Sequence, residues 1–217
     1  MNEPGGEARR ERIADSAVAT GKGDDGTTGM LYGGRIPKDD ARVDAYGTVD
    51  EAVSAMGLAR AELRAMSDSG RLPEALADLP ALLLRLQREL FVVGAELAAN
   101  PDARDRLSDG VTQVDESMLI AVEEILRDAE SRMTMPREFV VPGETRLSAA
   151  LELARTVMRR AERRVIGMAR GGAATGPWVV PYLNRVADLL WVLARMAEQG
   201  ESAAAVPARP DQPRRST

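Results

Sequence analysis

A glycine-rich segment near the start of the chain has the composition of a phosphate-binding loop. Between residues 20 and 38 it contains six glycines and both lysines of the chain, Lys22 and Lys38, whereas all other cationic residues are arginines. This glycine density excludes a stable helix and lets the backbone bend closely around a ligand. Closely spaced backbone N–H groups beside a compact ammonium are typical of phosphate sites. The alternative is a flexible segment without a ligand, because the G-x-x-x-x-G-K-[ST] pattern is missing and no strand precedes the glycines.

Polar residues at helical spacing form a second candidate site in the C-terminal half. At about 100° per residue, Arg155, Arg159 and Glu162 lie within about 60° of one another, beside an apolar stripe. Arg160 and Arg164 are expected on the far, solvent-facing side of the same helix. The next helical pattern repeats the arrangement with Asn184, Asp188, Trp191 and Arg195. These lines predict an anion site between helices or subunits; the alternatives are solvated flanks with i,i+4 ion pairs and an oligomer interface.

The elements that must position these residues are amphipathic helices. Apolar residues recur in steps of three and four from about residue 40 onward, and the clearest stripe runs from Leu79 to Leu97. The predicted helices span residues 40–66, 79–97, 115–130, 147–168 and 183–197. Their short connections predict an all-α fold, a five-helix antiparallel bundle.

The sequence predicts one domain. Residues 17–200 would form the bundle with its glycine-rich loop at 20–38, whereas the polar residues 1–16 and the proline-containing residues 201–217 are expected to be disordered. No apolar run approaches the roughly 18 residues of a membrane span, and the first residues lack the apolar core of a secretory signal. A cytoplasmic location is therefore expected.

The composition excludes several kinds of chemistry. The chain has no cysteine and no histidine, which removes disulfides, zinc–thiolate sites, thiol catalysis and the commonest general base near neutral pH. Aromatic residues make up only 3% of the 217 residues, so Leu, Val, Ala and Met must form the core. Those residues are typical of helix bundles. The net charge of −5 argues against a nucleic-acid partner.

The glycine-rich loop is followed by further distinctive blocks in a fixed order. These blocks are Arg35–Asp40, Ala45–Glu51, Phe139–Gly143, Ala154–Arg163 and Tyr182–Leu190. In order and spacing they resemble the PduO-type ATP:corrinoid adenosyltransferases over about residues 20–198. The run Arg-Thr-Val-x-Arg-Arg-Ala-Glu-Arg at residues 155–163 is the most specific part. Two positions depart from the family pattern: the cation Lys22 is displaced by one place, and Glu144 stands where the family commonly has glycine.

The resemblance implies a reaction and an assembly. The family transfers the 5′-deoxyadenosyl group of ATP to the cobalt of cob(I)alamin or another corrinoid and releases triphosphate, with Mg²⁺ accompanying the phosphates. It implies a homotrimer with active sites between subunits. An external electron donor such as a flavoprotein reductase would supply the reduced cobalt, and a cobalamin-dependent mutase is the expected recipient of the product.

The resemblance also assigns residues to the site. Asp50 of one subunit would pair with Arg155 of the next, Arg159 would contact the triphosphate, and Phe139 would close the lower face of the corrin. No residue is assigned to a metal. The residues implied in nucleotide binding are Thr20, Gly21, Lys22, Gly23, Asp24, Gly26, Thr28, Gly29, Lys38, Arg159, Arg160, Glu162, Arg163 and Asn184.

Two other functions stay open at this point. A non-catalytic bundle that binds and delivers adenosylcobalamin would keep the corrin pocket but would not need the glycine-rich loop. A different nucleotide enzyme, such as a phosphohydrolase, usually carries paired metal-binding carboxylates or histidine clusters within its helices, and this pattern is missing here.

Overall fold

Helices dominate the computed structural model, which describes residue 16, residues 18–136 and residues 138–209. Within these residues the long helices are α1 (Ala41–Asp68), α2 (Leu79–Ala98), α3 (Glu116–Ser131), α4 (Arg146–Arg170) and α5 (Val179–Gly200). Short 3₁₀ helices at Glu74–Leu76 and Pro101–Arg106 lie in the connections. The predicted all-α fold is confirmed.

Two small antiparallel strand pairs accompany the helices. Strand β1 (Thr27–Gly29) pairs with β2 (Arg35–Pro37), so that Thr28 lies opposite Ile36. Strand β3 (Val140–Val141) pairs with β4 (Val206–Pro207). The first pair gives the glycine-rich segment a hairpin that the sequence did not indicate.

The core lies where the predicted apolar stripes meet. Helix α1 packs against α2 and α4, and α5 packs against α4 and α3. The stripe residues Leu83, Leu90, Leu151 and Leu190 are fully buried, as the three–four spacing predicted. Helix α5 is buried on more than one face, because neighbours cover it on two sides. Charged residues on α5 can therefore be interior residues.

Side chains define where several helices begin. Asp40 accepts a hydrogen bond from the Arg42 N–H at 2.8 Å and so caps α1. Thr145 and Ser148 form a reciprocal capping box at the start of α4. Such caps satisfy N–H groups that have no partner within the helix, each worth about 1 kcal/mol. They fix the starting points of the two helices that carry the candidate site.

Two predicted boundaries differ from the structure. Helix α5 begins at Val179 and not at about residue 183, because Pro181 lies in the first turn, where a helix does not need its N–H. Disorder was expected from residue 201, but residues 201–209 are described and include β4. The Ala208 N–H donates to the Phe139 carbonyl at 2.7 Å, so pairing with β3 satisfies this backbone. Residues 1–15 and 210–217, where disorder was also expected, lie outside the described residues, as does residue 17 of the predicted domain.

Over the described ranges, none of the helices has both the length and the apolar character required to cross a membrane.

Candidate active site

The glycine-rich hairpin docks against one end of the bundle. The Leu31 N–H donates to the Ala98 carbonyl at 2.9 Å, and the Asn100 N–H donates back to the Leu31 carbonyl at 2.9 Å. The hairpin is thereby attached to the C-terminal end of α2. Arg42 at the start of α1 donates to the Leu97 carbonyl at 2.7 Å, which joins the same helix end to α1. Cations favour helix C-termini, so this contact stabilises the junction.

Lys38 lies across the glycine loop. Its backbone N–H donates to the Gly26 carbonyl at 2.9 Å. A β-carbon at Gly23 would lie 2.8 Å from the Lys38 ammonium nitrogen, so the missing side chain at this position makes room for the ammonium. Gly26 has a positive φ of 81°, a conformation that glycine adopts without strain. The loop therefore presents backbone and ammonium together, as the sequence predicted.

Arg35 holds the loop in shape from its other side. Its Nε donates to the Thr27 hydroxyl oxygen at 2.8 Å, and its Nη2 donates to the Lys22 carbonyl at 2.5 Å. Asp25 accepts from the Thr27 N–H at 2.9 Å and from the Thr27 hydroxyl at 2.8 Å. These bonds, the backbone N–H of Thr27 first, hold the pKa of the Asp25 carboxyl below its ordinary value. Arg35 and Asp25 are thus occupied in building the loop, and neither was assigned from the sequence.

Four of the predicted phosphate-binding cations lack an anionic partner. The side chains of Lys22, Lys38, Arg159 and Arg163 are exposed and make no hydrogen bond or ion pair with the described part of the chain. Most nearby arginines are paired: Arg35, Arg160, Arg164 and Arg185 each contact a carboxylate. Cations that are unpaired within the described residues, on a glycine loop and on a helix, suit an anionic ligand.

Arg160 and Arg164 are exposed, as the helical projection suggested, but both are paired with carboxylates. Arg160 pairs with Glu51, and Arg164 pairs with Asp44 at 3.0 Å. Both carboxylates lie on α1, which packs along α4. An open cleft of about 630 Å³ runs beside these pairs from Lys38 along α1, and its lining includes Asp39, Asp44 and Glu51. The carboxylates of this lining would repel a phosphate. A phosphate is therefore expected on the other side of Lys38, where the glycines lie.

Glu162 and Asn184 join the two predicted polar lines. The Asn184 Nδ2 donates to Glu162 at 3.1 Å, across α4 and α5. Its Oδ1 accepts from Arg185 at 2.7 Å, and Arg185 in turn bonds to Glu123 of α3 at 3.0 Å. The two polar lines therefore do meet, through a hydrogen-bonded chain that fixes the Asn184 side chain.

Asp50 and Arg155 are not brought together within the chain. Asp50 is exposed, and its carboxylate has no partner among the described residues. Arg155 bonds through Nε to Glu152 at 2.5 Å, and its side chain is 24% exposed. Each group is therefore available for a contact with another subunit.

Arg195, the last residue of the second polar line, lies in the interior of the bundle. The sequence suggested a flank position, but the side chain is 1% exposed and bonds to Glu198 at 2.8 Å. Glu152 and Glu198, which face it, are also buried and were not assigned. The available signal was an arginine in an almost entirely apolar stretch of α5.

Phe139 projects from the other end of the bundle, just before β3. Its side chain is 89% exposed, although it is a large apolar residue. It is therefore not packed as a cap on the end of the bundle by the described part of the chain.

A metal cage is missing from the described part of the chain. No group of three or more Asp, Glu, His or Cys residues is arranged there to hold a metal ion. Any Mg²⁺ in this site would depend mainly on ligands from phosphate and water.

These features define a helical-bundle protein with exposed cations on a glycine loop and on a long helix. A family model described as cobalamin adenosyltransferase matches residues 18–197. The chain therefore belongs to the cobalamin adenosyltransferase family, and the family prediction is confirmed.

Individual relatives agree with this assignment. The chain is similar to the corrinoid adenosyltransferase of Citrobacter freundii, with 38% identity over 181 residues, which cover 83% of this chain and 94% of that protein. The corrinoid adenosyltransferase of Bacillus subtilis is 36% identical over 177 residues, covering 82% and 84%. A variant PduO-type ATP:corrinoid adenosyltransferase from Lactobacillus reuteri, complexed with cobalamin and ATP, has a TM-score of 0.75 at 29% identity, covering 88% of this chain and 96% of that chain.

Proposed function

We propose that the chain transfers the 5′-deoxyadenosyl group of ATP to the cobalt of a cob(I)alamin-type corrinoid. The cobalt–carbon bond forms as Co(I) gives its electron pair to the 5′ carbon of ATP. The bond from that carbon to oxygen breaks, and triphosphate leaves with the bonding electrons. The observation that carries the proposal is the set of unpaired cations at the glycine loop and on α4, in a chain of this family.

The residues suit this reaction. Co(I) is a strong nucleophile that carries no proton, so the attack needs no general base, and a chain without histidine can perform it. The leaving triphosphate instead needs positive charge and oriented donors. Lys38, Arg159, Arg163 and the loop N–H groups would supply them, and Asn184 is held in place by Glu162 for the nucleotide.

We place the complete site between subunits of a homotrimer. Among the described residues Asp50 has no partner, and the terminal nitrogens of Arg155 make no bond, which supports an Asp50–Arg155 pair across the interface. Phe139 would close the lower face of the corrin and exclude an axial ligand, which eases reduction of Co(II). Mg²⁺ would accompany ATP. The electron would come from an external donor such as a flavoprotein reductase, and a cobalamin-dependent mutase would receive the product.

The experiment is an anaerobic assay with chemically reduced cob(I)alamin and ATP. Absorbance follows the formation of the cobalt–carbon bond, and triphosphate is quantified in parallel. We expect one triphosphate for each adenosylcobalamin formed. A protein that binds adenosylcobalamin but produces neither product would instead be a carrier. Light scattering tests the assembly, and a monomer with full turnover would exclude the intersubunit site.

A further inference from the structure

A continuous chain of four charged side chains crosses from α4 to α5. Arg155 Nε donates to Glu152 Oε2 at 2.5 Å, and Glu152 Oε1 pairs with Arg195 Nη2 at 3.3 Å. Arg195 Nη2 also donates to Glu198 Oε1 at 2.8 Å. Two guanidinium groups thus alternate with two carboxylates, and the chain of contacts leads from the interior to the partly exposed Arg155.

Three of these four side chains are buried. Glu152 is 4% exposed, and Arg195 and Glu198 are each 1% exposed. Removing charges from water is costly, and apolar residues of similar size often stabilise a core as well or better. Arg195 even leaves Nε and Nη1 without a partner, as does Glu198 with Oε2. The network is therefore poorly explained by stability alone.

The network determines which part of Arg155 is free. Its Nε is held by Glu152, while its two terminal nitrogens make no bond within the described part of the chain. We propose that Glu152 and Arg195 are positioning residues, which hold the Arg155 guanidinium so that its terminal nitrogens face the neighbouring subunit. Arg195 acts through Glu152: its contact with Oε1 holds the buried carboxylate in the orientation in which Oε2 meets Arg155. This inference rests on the proposed function, which assigns Arg155 to the intersubunit site.

A double-mutant cycle separates positioning from simple packing. Glu152→Gln keeps the shape of the side chain but removes its charge, and we expect turnover to fall about tenfold or more, because small misplacements at a site are costly. If Glu152 acts through Arg155, the same change in an Arg155→Ala background should alter turnover less than about twofold. If the effects of Glu152→Gln and Arg155→Ala on turnover multiply in the double variant, the proposal is overturned.

Glu89→Gln is the matched control. Glu89 is a largely buried carboxylate that accepts from Arg85 Nε at 2.7 Å in its own helix and from the Tyr182 hydroxyl at 2.6 Å in another. Like Glu152, it is contacted by an arginine of its own helix and by a side chain of another helix, but it does not contact Arg155. Its substitution should leave turnover within about twofold of the wild type, and its effect should multiply with that of Arg155→Ala.

Replacing the buried network by apolar residues distinguishes a loss of positioning from a loss of folded protein. The triple variant Glu152→Met, Arg195→Leu, Glu198→Met should keep the trimer and a melting temperature near that of the wild type. Its turnover should nevertheless fall as far as that of Glu152→Gln; a stable triple variant with normal turnover contradicts the proposal.

A crystal structure of Glu152→Gln tests the inference without any assay. We expect the Arg155 guanidinium to leave its wild-type orientation, and an unchanged orientation would overturn the positioning role. If the wild-type protein fails to adenosylate cob(I)alamin, the proposed function falls, whereas this structural result still decides whether Glu152 positions Arg155.

Discussion

The ammonium of Lys38 occupies the space that a side chain at residue 23 would need. A β-carbon at Gly23 would lie 2.8 Å from Lys38 Nζ and 3.0 Å from Lys38 Cε. Both atoms belong to the flexible end of the lysine, so a methyl group at residue 23 displaces the ammonium first. The nearest backbone atom, the Thr27 carbonyl oxygen, would lie 3.3 Å away, which requires only a small adjustment of the loop.

Gly23→Ala is therefore expected to weaken ATP binding without unfolding the protein. Loss of one charged hydrogen bond to phosphate costs about 1.5 kcal/mol or more, so the KM for ATP should rise about tenfold. Gly94→Ala on α2, where a β-carbon meets open space, is the control: KM should not change, and the melting temperature should rise slightly, because alanine favours a helix over glycine. An unchanged KM in Gly23→Ala would show that Lys38 does not contact the phosphates of ATP.

Arg159→Ala tests the leaving-group role of α4. If Arg159 stabilises charge on the departing triphosphate, kcat should fall about 100-fold, which is about 3 kcal/mol. The side chain is exposed and unpaired within the described residues, so the melting temperature should stay nearly constant. Arg127→Ala, on the exposed face of α3, is a better control than Arg164→Ala, because Arg164 pairs with Asp44 beside the loop. A near-normal kcat in Arg159→Ala would show that Arg159 does not stabilise the leaving triphosphate.

Glu96 should matter for stability and not for chemistry. Its buried carboxylate accepts from the Gly176 N–H at 2.5 Å and the Val114 N–H at 2.8 Å, and pairs with Arg104 at 3.2 Å. Glu96→Ala leaves two buried N–H groups without partners and should lower the free energy of unfolding by about 3 kcal/mol or more. Urea denaturation measures this loss. Gly176→Ala should also destabilise, because a β-carbon there meets the same carboxylate.

The sequence was sufficient for the fold because its apolar spacing is regular. Leu83, Leu86 and Leu90 are buried as predicted, since a three–four pattern has one low-energy packing face. It was insufficient for β3 and β4, which are two residues each and depend on pairing between segments more than 60 positions apart. Such long-range pairing leaves little trace in local composition.

The candidate site shows the same division between local and long-range information. Glycine density indicated the Lys38 loop, because the reason for those glycines is local. The position of Arg195 was misjudged, because a helical projection gives the angle of a residue but not which neighbouring helices cover it. Helix α5 is surrounded on more than one face, whereas Arg160 and Arg164 stay exposed and reach carboxylates on α1.

Glu198 gives the protein an unusual pH dependence. Burial raises the pKa of its carboxyl above the ordinary value of 4.5; nearby Glu144 and Glu152 raise it further, while Arg195 and Ser148 oppose the shift. A carboxyl with a raised folded-state pKa contributes stability that is fully present below the unfolded value and is lost as pH rises through the folded value. Relative to Glu198→Gln, the wild type should therefore become more stable as pH falls from 7 toward about 4.5. Parallel urea titrations measure the difference, and a difference that moves the other way would contradict the buried assignment.

Phe139 offers the sharpest test of how the corrin would be held. Its side chain is 89% exposed, so Phe139→Ala should leave the melting temperature nearly unchanged. If the ring excludes the lower axial ligand, the variant should adenosylate poorly when it starts from cob(II)alamin and a mild reductant. It should lose less activity when cob(I)alamin is supplied already reduced, because the alkyl transfer itself depends less on the ring.

The other phenylalanine of the chain provides the comparison. Phe91 is also exposed, but it lies on α2, away from the β3 segment that carries Phe139. Any effect of Phe91→Ala, for example through an oligomer contact, should be equal in the two assays, because the ring has no reason to distinguish the oxidation state of cobalt. The ratio of the two rates is therefore the decisive quantity, since it cancels losses of folded protein and of trimer. An unchanged ratio in Phe139→Ala would show that the ring does not control the axial ligand, whether or not it contacts the corrin.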